Sequence, residues 1–285
     1  INVNHLFFAD DLILLSTTKE GLQNSIDCLS EYCIKSKLTV NLDKTKAMIF
    51  SNKKIDTAEH CFYYNHSIVH LEHEYKYLGI IFTYNGKLRY AAEQLVDCAR
   101  KACHAMKCSL PFHNNLSVKT LLKLYSSLIE PIVLYGYEIW ISDFYININN
   151  CDQLPFEKIQ HSIFKDILGV QQKASNLAIK YELGTLPICC KAYISMFKYY
   201  KRLKNHNNEN GIRNQFLLLL SLKMSGVKEN WQGQIDKLKK TLNLPSLDIT
   251  DSTFSSCLNN FYIKNVNIQL QNIEFSKRSK LLFYS

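Results

Sequence analysis

The sequence predicts an α+β fold, and three observations carry that expectation. Short apolar runs bracket an acidic pair near the start, an aromatic and β-branched run closes on a strong turn signal at Asn85-Gly86, and helical periodicity takes over from Leu88 onward. A length of 285 residues suits about two domains, and 47% hydrophobic content is enough to build a sizeable core.

The elements follow in order. Residues 6–16 fit a hairpin whose flanks, Leu6-Phe7-Phe8-Ala9 and Leu12-Ile13-Leu14-Leu15, read as buried strands and whose turn carries Asp10 and Asp11. Thr17 and Glu20 match a Thr-x-x-Glu capping box, and Leu22, Ile26, Leu29 and Cys33 then follow helical spacing through about Lys35. Residues 38–41 and 46–51 read as short strands joined by Leu42-Asp43-Lys44-Thr45. Residues 52–74 form a polar, histidine-rich stretch, and 75–83 return to an extended pattern.

Beyond it, Ala92, Leu95, Ala99, Ala102 and Met106 line one face of a helix that Pro111 closes. Ser117 caps a second helix through Leu121, Leu124, Tyr125 and Leu128, which Pro131 kinks or breaks. The aromatic run from Leu134 to Trp140 reads as buried. Further helices are expected over 154–168, stopped by Gly169, over 174–183 and over 192–203. Residues 205–211 have linker character, and the remainder is helical in tendency, without repeats or low-complexity tracts.

Composition bounds the function. Lys+Arg 34 against Asp+Glu 25 gives +9, which favours a polyanionic partner. No run approaches the length of a membrane span, and Asp10 and Asp11 interrupt the early apolar stretch that a secretory signal would need. The ten cysteines contain no Cys-x-x-Cys pair. Cys98, Cys103 and Cys108 spread around a helix axis, and the adjacent Cys189 and Cys190 suit one tetrahedral site poorly. They read as reduced, mostly buried thiols of an intracellular protein, nuclear or cytoplasmic. The chain begins with Ile1 inside a strand, which suggests a fragment of something longer.

The acidic pair carries the chemistry. Two adjacent ionised carboxylates repel, and beside apolar strands they are costly unless a cation neutralises them. Hard oxygen ligands suit Mg²⁺, which points to metal-dependent phosphoryl chemistry. An isolated Asp-Asp pair is equally an ordinary turn element. The order around this one favours the metal: strand, Ala-Asp-Asp, strand, helix, then Asn-x-x-Lys-Thr-Lys. His60, His66, His70 and His73, with Glu72 and Glu74, read as a solvent-facing connector rather than a zinc site. Basic and aromatic residues mix at 199–204 and at 237–240, and the second cluster reads as a solvated helix face.

Phe8-Ala9-Asp10-Asp11 resembles the catalytic palm motif of reverse transcriptases of non-LTR (LINE-like) retrotransposons. The helix over 22–33 and Asn41-Leu42-Asp43-Lys44-Thr45-Lys46 look like the next palm motif, and Tyr77-Leu78-Gly79-Ile80 looks like the strand pair that grips the primer end. Leu124-Tyr125, Pro131, Leu134-Tyr135-Gly136, Glu138-x-Trp140, Glu182-Leu183-Gly184-Thr185-Leu186-Pro187, Tyr200-Lys201-Arg202-Leu203 and Lys280-Leu281-Leu282-x-Tyr284 extend the likeness in order. The resemblance implies a partial polymerase palm over 1–87, a helical thumb or connection region over 88–204 and a helical C-terminal extension over 205–285.

It also implies roles. Asp10 and Asp11 would be ligands of Mg²⁺, with Mn²⁺ a possible substitute, and Lys44, or less readily Lys46, would serve the leaving pyrophosphate. Tyr77, Leu78 and Gly79, with Arg100 and Lys101, would contact nucleic acid. The partners would be an RNA template, a DNA primer and deoxynucleoside triphosphates, with no membrane. Two departures stand out. Lys37 occupies a position where the family often has Gly, and a further palm aspartate and the fingers would lie before Ile1. The chain alone is therefore not expected to polymerise DNA. The alternative is a non-catalytic, nucleic-acid-binding remnant or host-coopted domain.

Overall fold

The computed structural model describes residues 4–56, 60–110, 116–144, 151–204, 231–244 and 250–275, and the chain divides into two units, Ile1–Tyr90 and Ala91–Ser285. Pro111, residues 205–211 and the Lys280–Tyr284 motif lie outside the described residues. The architecture is α+β. The first unit holds all the described strands as three separate two-stranded antiparallel hairpins, and the second is helical throughout its described residues.

In the first unit, β1 (His5–Phe8) pairs with β2 (Asp11–Leu14) in the register His5↔Leu14 to Phe8↔Asp11, which leaves Ala9-Asp10 as a two-residue loop. The buried strands expected here are not found. Every residue of β1 is exposed, Phe7 at 68% and Phe8 at 61%, and no third strand joins the hairpin among the described residues; β2 is half-buried from Leu12 to Leu14, with Leu14 against the core.

Helix α1 (Lys19–Lys35) starts one residue later than the capping box suggests. Thr18, not Thr17, is the cap, and its side chain accepts from the Gly21 amide at 3.0 Å. A side chain at position 21 would meet Ser16 Oγ at 2.5 Å and Thr18 Oγ1 at 2.9 Å, so only glycine leaves room for this cap. The helix ends in a Schellman motif: Leu38 N–H donates to Cys33 O at 2.8 Å and Lys37 N–H to Ile34 O at 3.3 Å. That places Lys37 at φ 55, the left-handed position where glycine is the easy residue.

The strands expected at 38–41 and 46–51 do not form. The second stretch makes one parallel bridge, in which Ala47 N–H donates to His70 O and Ala47 O accepts from Glu72 N–H, both at 2.9 Å. The stretch 52–74 is likewise more than a connector. Strands β3 (Phe62–Tyr64) and β4 (Ser67–Val69) turn at Asn65-His66, with Asn65 left-handed at φ 54, and bury Phe62 and Val69. These two join Ile26 and Ala47 in one core, against which Leu14, Leu22, Tyr64 and Leu71 pack. Strands β5 (Glu74–Tyr77) and β6 (Ile80–Thr83) form the last hairpin. Gly86, at φ 67, donates its N–H to Thr83 O and closes the expected Asn85-Gly86 turn.

In the second unit, α2 (Arg89–Ser109) buries Ala92, Leu95, Ala99 and Cys103 and leaves Cys98 and Cys108 exposed, as their five-residue spacing requires. Helix α3 (Val118–Leu124) is capped by Ser117, whose Oγ accepts from Thr120 N–H at 3.2 Å. A π-helical turn over Tyr125–Ile129 then leads into α4 (Glu130–Val133). Pro131 lacks an N–H to donate, and the wider turn just before it absorbs that loss without ending the helical path. Short α5 (Tyr137–Trp140) follows Gly136 at φ 63.

Helices α6 (Pro155–Ile167), α7 (Asn176–Leu183) and α8 (Ile188–Lys204) build the core with α5. Trp140 sits among Tyr137, Phe144 and Phe156 at ring separations of 5.7–5.8 Å. Of the run expected to be buried, only Tyr137 and Trp140 are; Tyr135 is 49% exposed and the rest are half-buried. Helix α9 (Trp231–Thr241) docks through Trp231 Nε1–H to Glu138 O at 2.7 Å, and α10 (Asp251–Phe275) stacks Phe254 on Phe197 of α8 at 4.0 Å.

Candidate active site

Asp10 and Asp11 lie side by side on the tip of the β1–β2 hairpin, Asp10 in the loop and Asp11 at the first position of β2, and both are exposed. The exposure removes the desolvation cost that the flanking apolar residues suggest, while the repulsion of two neighbouring carboxylates remains. Ala9, directly before them, has φ 54. A left-handed alanine costs about 1–2 kcal/mol, and such strain tends to gather at functional sites. Two hard oxygen donors on a short turn suit a divalent cation such as Mg²⁺ or Mn²⁺. Among the described residues, no third His, Cys, Asp or Glu joins them in a group that could hold a metal.

Lys44 stands on a turn that Asn41 organises. Asn41 Oδ1 accepts from Lys44 N–H at 3.2 Å, and Asn41 O accepts from Thr45 N–H at 3.0 Å and from Thr45 Oγ1–H at 2.8 Å. Tyr75 of β5 donates its hydroxyl to Lys44 O at 2.9 Å, which ties this turn to the last hairpin. The Lys44 side chain is exposed and Lys46 is half-buried, and neither has an ion-pair partner among the described residues. The hairpin and this turn share one core, because Leu14 of β2 and Ala47, just past Lys46, both pack there.

Tyr77, Leu78 and Gly79 form the tip of the β5–β6 hairpin, with Tyr77 opposite Ile80. Both loop residues have positive φ, Leu78 at 46 and Gly79 at 83, as a type I′ turn requires. In the second unit, Arg100 and Lys101 are exposed on α2, and Arg100 pairs with Asp97 at 2.5 Å. The four histidines do not converge on a metal-competent group. Arg202 lies 5.1 Å over the Tyr199 ring, and Lys201 pairs with Asp251 at 3.5 Å. Lys239 leans over Tyr200 at 5.1 Å, while Lys237 and Lys240 are exposed, as on a solvated face.

A second polar cluster escaped the sequence reading. Inside the helical unit, Lys180 pairs with Glu157 at 3.1 Å and with Asp152 at 2.9 Å, and Glu157 also accepts the Cys189 N–H at 2.8 Å. Glu157 and Lys180 are almost fully buried. Burial acts against the Lys180 ammonium, but Glu157, Cys151, Tyr262 and Asp152 outweigh it and hold its pKa above the ordinary lysine value. The residues come from the segment before α6, from α6, α7 and the start of α8, too far apart in sequence for spacing to reveal them.

Residues 1–82 match the family model of reverse transcriptase (RNA-dependent DNA polymerase). The likeness is to reverse transcriptases. The RNA-directed DNA polymerase from mobile element jockey of Drosophila funebris is 24% identical over 207 residues, which cover 70% of this chain and 22% of that protein. The chain thus spans under a quarter of that reverse transcriptase's length. No solved structure gives a significant match. No helix among the described residues is long and apolar enough to cross a membrane.

Proposed function

We propose that this chain is part of the RNA-directed DNA polymerase of a non-LTR retrotransposon, with Asp10 and Asp11 as its catalytic metal ligands. The observation that carries the reading is the hairpin tip: two adjacent exposed carboxylates behind a left-handed Ala9, within the stretch that matches reverse transcriptases. Bound Mg²⁺ ions, or Mn²⁺ in their place, supply charge neutralisation at the incoming nucleotide's phosphates and activation of the primer 3′ hydroxyl. The chain's own residues do the rest. Asp10 and Asp11 offer oxygen donors on a short loop, whose small conformational freedom limits misplacement.

Lys44, unpaired among the described residues and held by its main chain to Tyr75, neutralises or protonates the leaving pyrophosphate. The Tyr77–Gly79 tip bears on the primer end, and Arg100 and Lys101 on duplex phosphates. In this reading 1–87 supplies part of a palm, 88–204 a thumb or connection region and 205–285 an extension. RNA template, DNA primer and deoxynucleoside triphosphates are the partners, met in the nucleus or cytoplasm.

The test is paramagnetic. Mn²⁺ titrated into the chain should broaden amide signals around Ala9–Asp11, and Asp10→Asn with Asp11→Asn should abolish that broadening. In an intact polymerase carrying this segment, Asp10→Asn should abolish template-directed synthesis. Broadening or synthesis that survives these substitutions rules the reading out.

A further inference from the structure

The helical unit brings a second, chemically different set of donors together. Cys151, just before α6, Glu157 in the first turn of α6, and Cys189 in the first turn of α8 place two sulfurs and a carboxylate oxygen within 4.8 Å of one another. Cys151 is 4% exposed, and Glu157 and Cys189 are fully buried. Cys190, the neighbour that made this pair awkward for one site, is not among the donors.

His161, on the same helix as Glu157, is not one of the donors that meet within this distance. It lies one helical turn beyond Glu157 on α6, its side chain is 4% exposed, and neither ring nitrogen has a hydrogen-bond partner. Its Nε2 is 3.5 Å from Asp152 Oδ1, too long for a hydrogen bond.

We propose that Cys151, Glu157 and Cys189 form a zinc site. Two thiolates and a carboxylate make a soft donor set that suits zinc and not magnesium. Three negative ligands would face a dication and the Lys180 ammonium, which lies 3.1 Å from Glu157 and 2.9 Å from Asp152. Thiols bind zinc as thiolates, so binding replaces two thiol protons, which leave to solvent.

The chain loaded with Zn²⁺ and desalted should retain about one ion per molecule. Cys151→Ala and Cys189→Ala should each lose it, while Cys98→Ala and Cys108→Ala, both exposed, should keep it. A core substitution can also unfold the unit, so the unmodified chain is titrated with Co²⁺ as well. Thiolate charge-transfer and tetrahedral d–d bands should appear, with about two protons released per ion and with Cys151 and Cys189 shielded from alkylation. Full metal retention without both cysteines, a cobalt spectrum lacking thiolate bands, or recovery of Cys151 and Cys189 as a metal-free disulfide would each overturn the proposal.

Discussion

The side-chain amide of Gln23 holds the main chain of Tyr63 in both directions: Nε2–H donates to Tyr63 O at 2.7 Å, and Oε1 accepts Tyr63 N–H at 3.0 Å. A helix residue thereby stands in for a neighbouring strand and fastens the β3–β4 hairpin to α1. Gln23→Leu keeps much of the bulk but breaks both bonds, and it should destabilise the first unit by about 1–3 kcal/mol. Urea unfolding of the two proteins measures the difference. A change below about 0.5 kcal/mol would mean that water replaces the amide at no cost.

Lys37 at the end of α1 holds a left-handed conformation at φ 55. Lys37→Gly removes the steric penalty at that position and should raise stability by about 1 kcal/mol. Thermal unfolding reads this as a higher midpoint, and an unchanged or lower midpoint contradicts the assignment.

His161 gives the second unit a pH dependence of defined sign. Its pKa is pushed down to about 4, first by burial and then by the Lys180 and Lys165 ammonium groups, with Asp152 opposing. The unfolded chain binds a proton near pH 6.5 that the folded chain refuses until about 4, so this contribution is complete above 6.5 and is lost as pH falls toward 4. His161→Gln should flatten the stability profile across that window. Parallel profiles for the two proteins would show that His161 titrates normally.

Arg100 and Lys101 present two cations from the exposed face of α2, one of them braced by Asp97. If they meet duplex phosphates, replacing both with Ala should lower the slope of log affinity against log salt by about 1–2 for a primer–template duplex. Titration by fluorescence anisotropy at several salt concentrations gives that slope directly. An unaltered slope would return both side chains to the solvent.

Local signals in the sequence gave much of this fold, and non-local ones were hidden from it. The first hairpin, the Ser117 cap and the stop at Gly169 each depend on a few neighbouring residues, so propensity and spacing expose them, although the turn sits at Ala9-Asp10 and Asp11 already pairs with Phe8. The helix cap moved from Thr17 to Thr18 because Gly21 alone leaves space for that hydroxyl, a steric fact no pattern states. Residues 46–51 look like a strand, yet Ala47 finds only the His70–Glu72 main chain as partner, and strand formation depends on the partner. The β3–β4 hairpin was masked by its histidines, because polar composition outweighed the two residues, Phe62 and Val69, that enter the core. Asp10 and Asp11 were legible because they are adjacent. Cys151, Glu157 and Cys189 were not, because only the packing of α6 against α8 makes them neighbours.

The bare face of the first hairpin carries a practical consequence. Phe7 and Phe8 face water from a strand with no partner on its other edge among the described residues, the arrangement through which polypeptides recruit copies of themselves. Concentrated samples of this chain should therefore grow larger assemblies with rising protein content, and a lysine in place of Phe7 should keep them dispersed.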